Sequence, residues 1–83
     1  MKVQVKYFAS IREAMGVSGE VLETVAPTLA DLRDELATRA GAAGQALARG
    51  RAVRIALNQV MSDESVALTD GAEVAFFPPV TGG

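Results

Sequence analysis

Glu73-Val74-Ala75-Phe76-Phe77-Pro78-Pro79-Val80-Thr81-Gly82-Gly83 is the stretch on which the fold turns. Its first five residues alternate as a strand, with Val74 and Phe76 on the inward row and Ala75 and Phe77 on the outward row. The strand ends at two prolines, which lack an N–H donor and hold φ near −65°, so the chain leaves the sheet extended rather than turning back. Gly82 and Gly83 carry no Cβ, which lets their backbone enter a channel too tight for any other residue. From Phe77 to Gly83 the arm reaches about 20 Å at roughly 3.3 Å per residue. A carboxylate at Gly83 can therefore enter a pocket in another protein while the body stays docked outside. Glycine-rich chain ends are commonly just unstructured. Here the approach is Pro-Pro and no side chain of the arm is charged, which favours an inserting arm.

Working outward, 83 residues make one small domain with a single core. A hydrophobic fraction of 49% argues against disorder. No apolar run reaches bilayer length, and Met1-Lys2-Val3-Gln4 lacks the regions of a signal peptide, so the expected location is cytoplasmic. Cys and His are both absent, which excludes thiolate nucleophiles, Ser-His-Asp triads, cysteine or histidine zinc sites and disulfides. No metal site is expected. The net charge of −2 and pI near 4.9 argue against nucleic acid as a main partner. Arg49, Arg51 and Arg54 read as a solvated or partner-facing patch.

Lys2-Val3-Gln4-Val5-Lys6-Tyr7-Phe8 alternates as a half-buried strand, with Val3, Val5 and Tyr7 facing the core and Phe8 ending the solvent-side row. Ser10-Ile11-Arg12-Glu13 has the form of a capping box opening a helical turn that Gly16 closes. Residues 20–25 form a second strand, in which Val21 and Val25 compete with Leu22 and Thr24 for the buried face. Pro27-Thr28-Leu29-Ala30-Asp31 starts the main helix, with Thr28 as cap and Asp31 in the first turn. Leu29, Leu32, Leu36 and Ala40 recur at helical spacing, Arg33, Asp34, Glu35 and Arg39 take the other positions, and Gly41 is placed to end the helix. Residues 42–50 are a short helical turn or a loop, anchored only by Leu47. Val53-Arg54-Ile55-Ala56-Leu57 is a third strand closed by Asn58-Gln59. Ser62-Asp63-Glu64-Ser65 is a turn, Val66-Ala67-Leu68 an extended piece, and Thr69-Asp70-Gly71-Ala72 a second turn.

The order strand, strand, helix, strand, strand, with one amphipathic helix, implies an α+β fold of the ubiquitin-like β-grasp layout. A mixed sheet packs on one main helix, with the domain spanning residues 1–77 and a protruding arm spanning 78–83. If the last strand pairs with the first, Phe8 and Phe77 share the outer face and form a docking patch at the base of the arm.

The stretch from Leu68 to Gly83, together with Tyr7-Phe8-Ala9-Ser10-Ile11-Arg12-Glu13 and Asn58-Gln59, resembles the family of small, sulfur-carrying subunits of molybdopterin synthase. The resemblance covers the whole chain, and Phe-Phe-Pro-Pro-Val-Thr-Gly-Gly is its specific part. It implies that Gly83 is adenylated from ATP by a ubiquitin-activating-type adenylyltransferase and converted to a thiocarboxylate, with sulfur from a sulfurtransferase. It further implies that Pro78, Pro79, Val80, Thr81 and Gly82 thread into a large catalytic subunit, in a heterotetramer of two small and two large chains. Sulfur then passes to cyclic pyranopterin monophosphate to form molybdopterin. No cofactor is expected to stay bound, and the transient species are the acyl-adenylate and the thiocarboxylate. Such chemistry needs no Cys, because the carrier terminus itself becomes the sulfur nucleophile.

Three other readings share parts of this pattern. A sulfur carrier for thiamine thiazole synthesis has the same fold and Gly-Gly end, but the Phe-Phe-Pro-Pro approach favours the molybdopterin branch. A protein modifier would join activated Gly83 to a lysine. A plain interaction domain would keep all its activity without Gly82 and Gly83.

Overall fold

The computed structural model describes residues 1–79, so the expectations for Val80, Thr81, Gly82 and Gly83 lie outside the described residues. Its elements are β1 (Lys2–Tyr7), α1 (Ala9–Met15), β2 (Gly19–Glu23), α2 (Leu29–Ala37), α3 (Gly41–Ala46), β3 (Arg54–Leu57), β4 (Val60–Met61) and β5 (Glu73–Phe77). The sheet order is β2-β1-β5-β3-β4. β5 lies parallel to β1 at the centre, and the other pairs are antiparallel. The crossover from the first strand to the last through α2 gives the ubiquitin-like β-grasp fold, a mixed sheet wrapped on a helix.

The alternation in β1 and β5 is realised as the pattern requires. Val3, Val5, Tyr7, Val74 and Phe76 are buried and meet Leu29, Leu32 and Leu36 of α2 in one core. Thr28 caps α2, accepting from the Asp31 N–H at 3.2 Å. Gly16 ends α1 in the left-handed region at φ 81°, donating to the Arg12 carbonyl at 3.0 Å. Residues 42–46 continue the short helix α3, which opens at Gly41, and Leu47 just after it is fully buried. Gly44 is what allows α3 to close on the end of α2, since a Cβ there would collide with the carbonyls of Ala37 and Arg39.

The structure corrects several local expectations. The capping box at Ser10 is not formed: α1 begins at Ala9, after Phe8, with no side-chain cap. The strand runs to Tyr7, and the helix follows at once through Ala9 at φ 51°, which leaves Ser10 inside the first turn. Gly41 does not end α2, which closes at Thr38; it opens α3 at φ 70° instead. Ala40, past the helix end, is exposed rather than part of the core stripe. The chain also forms β4, because Asn58 and Gln59 both take positive φ, 50° and 70°, and fold Val60 back on Leu57. Asn58 further ties this turn to β5, its Oδ1 accepting from the Glu73 N–H at 3.0 Å.

The competition in β2 is settled by register. Val3 opposes Leu22 and Val5 opposes Glu20, so Glu20, Leu22 and Thr24 face the helix layer while Val21 and Val25 are 67% and 91% exposed. Polar residues win the inner face because each finds partners there. Thr24 Oγ1 donates to Glu35 at 3.1 Å and accepts from the Ala26 N–H at 3.0 Å. Glu20 accepts the Tyr7 hydroxyl at 2.7 Å and the Arg39 fork at 2.7 and 2.9 Å.

The Arg39 fork holds the Glu20 carboxyl below its ordinary value, against the opposing pull of partial burial and with help from the Tyr7 hydroxyl. Burial, and then the bond to Glu20, push the Tyr7 phenol up. Because the Glu20 pKa is depressed in the folded state, the stability it contributes is present above the ordinary value of 4.5 and is lost as pH falls through the folded value. Glu20→Gln is therefore expected to lower stability at about pH 7 and to flatten the decline between about pH 5 and 3. Urea unfolding at the two ends of that window checks it, and an unchanged acid slope in the variant counts against the assignment.

Candidate functional site

The root of the arm is built by the two central strands. The β1–β5 register places Tyr7 beside Phe76 on the inner face, and the next residue of each strand, Phe8 and Phe77, turns outward. The inner rings stack at 6.3 Å with an interplanar angle of 21°. The outer rings of Phe8 and Phe77 meet edge to face at 6.2 Å and 83°. Both pairs have favoured aromatic geometry, so the outer pair is held by its neighbour as well as by the ladder. The Phe8 N–H donates to the Phe76 carbonyl at 3.1 Å, and the Phe8 carbonyl accepts from Ile11 at 3.1 Å and Arg12 at 3.2 Å. Its backbone is thus tied to both the strand and the helix, while its side chain stays 47% exposed.

Phe77 is half-buried and lies opposite Arg54 of β3. Behind it on the outer face, Ala75 opposes Ala56, which in turn opposes Met61 of β4. The alanines make a low floor, with Phe77, Phe8 and the 48%-exposed Met61 standing at its edges. Lys6 and Glu73 pair at 3.2 Å on the same side. This is an apolar surface with a charged rim, the composition of a docking face. Pro78 and Pro79 follow directly, outside any strand and half-buried.

Phe8 and Phe77 are therefore brought together as the sequence reading requires, with Pro78 and Pro79 continuing from them. Val80, Thr81, Gly82 and Gly83 lie outside the described residues. Met61 escaped sequence reasoning. Its signal was the Asn58-Gln59 turn, which returns the next two residues onto β3 and gives Met61 the same outward parity as Ala56. The arginines do not form one patch. Arg49 is paired with Asp34 at 2.8 Å and Glu64 at 2.7 Å, and Arg54 stands beside Phe77.

With this geometry established, comparison with known proteins gives one consistent result. The chain belongs to the ThiS family, whose model matches residues 5–83. It is 40% identical to the molybdopterin synthase sulfur carrier subunit of Escherichia coli and 38% identical to that of Haemophilus influenzae. Each comparison covers 98% of this chain and 99% of the relative. Among solved structures it is similar to the complex of subunits 1 and 2 of the molybdopterin-converting factor from Helicobacter pylori, at TM-score 0.69 and 30% identity with full coverage of both chains. It is also similar to small archaeal modifier protein 1 of Haloferax volcanii, at TM-score 0.75 and 25% identity, covering 95% of this chain and 98% of that one.

Proposed function

We propose that this chain is the sulfur carrier subunit of a molybdopterin synthase, a non-catalytic sulfur donor in molybdenum cofactor biosynthesis. The observation that carries the reading is one of placement. The central strand ends at an outward-facing aromatic pair, half-exposed at Phe8 and half-buried at Phe77, and runs straight into Pro78 and Pro79, beyond which the sequence reads Val80-Thr81-Gly82-Gly83. The sulfur carrier subunits to which the whole chain is similar support it, as does the two-subunit complex among its structural relatives.

On this reading residues 1–77 are the docking body and residues 78–83 the arm. An adenylyltransferase of the ubiquitin-activating type transfers AMP from ATP to the Gly83 carboxylate, releasing pyrophosphate and creating a good leaving group. The outer persulfide sulfur of a sulfurtransferase attacks the acyl carbon and expels AMP, and a thiol reductant cleaves the resulting acyl disulfide to leave the thiocarboxylate, all in the cytoplasm. Phe8 and Phe77 seat the body on the large catalytic subunit in a heterotetramer. Pro78 and Pro79 limit the entropy lost as the arm enters, and Val80, Thr81 and Gly82 line its path. The thiocarboxylate sulfur attacks cyclic pyranopterin monophosphate, water cleaves the resulting acyl–sulfur bond and returns the Gly83 carboxylate, and two such transfers build the dithiolene. No metal or resident cofactor is required of this chain, and proton transfers fall to the large subunit.

The test is the intact mass after incubation with activating enzyme, ATP and a sulfur donor. The expected result is a gain equal to one oxygen exchanged for sulfur, followed by its loss on addition of the large subunit and pterin precursor. No gain with a competent activating enzyme overturns the proposal. The similarity to an archaeal modifier protein favours one second reading, in which Gly83 is joined to lysines of other proteins; adducts of higher mass in the same sample identify it.

Docking is separable from sulfur transfer. Phe8→Ala and Phe77→Ala are each expected to weaken binding to the large subunit by about thirtyfold, the range of an aromatic hot spot, while the domain stays folded. Titration calorimetry with a circular dichroism melt of each variant checks this. Unfolding of either variant would show that these rings belong to the core.

A further inference from the structure

β2 is an edge strand of the sheet, and its outer side is open in an unusually regular way. Tyr7 donates to the Ser18 carbonyl and Thr24 to the Met1 carbonyl, each at 2.9 Å. The register then makes the even-numbered residues of β2 the hydrogen-bonded partners of β1. The backbone N–H and C=O groups of Gly19, Val21 and Glu23 therefore point away from the sheet, with no strand beyond them. The side chains of these same residues lie on the face opposite the helices, and Val17 and Val25 flank the strand at the same sequence parity, Val17 in the bend before it and Val25 just after it. Val17, Val21 and Val25 are 47%, 67% and 91% exposed. Edge strands are commonly protected by charge, proline or a bulge. At this edge only Glu23 supplies a charge among the outward-facing residues.

The row Val17, Gly19, Val21, Glu23, Val25 is nearly palindromic about Val21. We infer that β2 pairs antiparallel with β2 of a second copy of this chain, on a two-fold axis through Val21. In that register Val21 faces its own equivalent, Val17 faces Val25 twice, and Gly19 faces Glu23 twice. Outward backbone groups meet outward backbone groups, giving about six new ladder hydrogen bonds over the five-residue strands. The charge also finds a place. Gly19 has no side chain, and beside it lies a shallow depression of about 530 Å³ lined by Lys6, Phe8, Arg12 and Val21 among others. Glu23 of the second copy enters over Gly19, between Lys6 and Arg12. Moving the axis to Glu23 would oppose two carboxylates, and moving it to Leu22 would set Val21 against Glu23. Centring on Val21 alone joins all three valine pairs without a like-charge contact. The strand contact is small, so the pairing is reversible and concentration-dependent. It uses the β2 edge and reaches the Phe8–Phe77 pair only at Phe8, which follows the neighbouring strand β1 and lines that depression, while Phe77 lies one strand further on in β5.

The full chain contains no cysteine, so a single introduced thiol reports the geometry. Across the axis the two Val21 Cα atoms stand about 5.5 Å apart, within disulfide range, whereas two Glu23 Cα atoms stand about 14 Å apart. In a thiol–disulfide buffer at about 0.1 mM protein, Val21→Cys is expected to form covalent dimer at least about tenfold faster than Glu23→Cys. Val60→Cys, at a comparably exposed position on the other edge strand, is expected to match the slow variant. Equal rates for the three overturn the inference. Sedimentation of the cysteine-free chain gives a second reading: Val21→Lys, with an unchanged amide spectrum, abolishes the self-association. A chain that stays monomeric up to about 1 mM, or a Val21→Lys variant that still dimerises, overturns it as well.

Discussion

Deleting Gly82 and Gly83 is expected to abolish the ATP-dependent mass gain completely while leaving the fold and the docking face as they are. Among the described residues the core ends at Phe76, so the deletion leaves every member of that core in place. Its effect on unfolding free energy is expected to fall within about 0.5 kcal/mol, as for surface changes. The loss of function has two separable causes. Adenylation needs a carboxylate at the end of the arm, and shortening the arm by two residues withdraws that group by about 7 Å. The new end would also be Thr81, whose branched Cβ cannot follow the path that glycine takes. A chain extended by one alanine after Gly83 separates these causes, since it restores reach but not the glycine end. Both variants are expected to bind the large subunit with affinity within a few-fold of the parent, because Phe8 and Phe77 are untouched. If the deleted chain still gains sulfur, the carrier group is elsewhere, and the reading of the arm is wrong.

How much of this was legible beforehand depended on whether a residue's role was local. β1 and β5 were readable because strict alternation gives each side chain one face, and the parallel pairing then brings Phe8 to Phe77 at 6.2 Å. Thr28 was readable because an N-cap needs only the next turn. β2 was not, since both of its faces carry plausible core residues. What decides it is Glu20, and its partners Tyr7 and Arg39 lie 13 and 19 residues away. The capping box failed for a related reason. Ser10 has the right neighbours, but the strand before it delivers Phe8 already hydrogen-bonded to Phe76, and the helix starts from there. At the candidate site the aromatic pair followed from the alternation once the last strand was paired with the first. Met61 did not, because its place depends on a two-residue turn with positive φ at Asn58 and Gln59.

Arg33 was the least legible residue, and its replacement carries the largest expected cost in stability. It occupies a polar slot in the α2 pattern, yet it is 4% exposed. Its Nε donates to the Leu47 carbonyl at 2.8 Å, and its terminal nitrogens reach the carbonyls of Ala48 at 2.8 Å and Arg51 at 2.7 Å. A further bond runs to the Glu64 carboxylate at 3.1 Å. One planar fork thus satisfies three carbonyls of the segment between α3 and β3 and pins the turn that follows β4. Glu64 keeps a second cation, Arg49 at 2.7 Å, so Arg33→Ala does not orphan a charge. It takes away the donor to the Leu47 and Arg51 carbonyls, while Ala48 keeps the Arg51 N–H, and opens a void beside Leu47, which together are expected to cost about 3 kcal/mol. For a domain of this size that lowers the melting temperature by about 12–24 °C. Arg33→Lys is expected to recover less than half, because a single ammonium cannot span acceptors that a guanidinium reaches in plane. The segment leads into Arg54 and hence to the strand beside Phe77, so the loosened variant should also bind the large subunit more weakly. Urea unfolding with calorimetric titration on the same samples decides the point. A loss below about 1 kcal/mol in Arg33→Ala would mean that the carbonyls find water instead, and that the clamp is not what holds this corner of the fold.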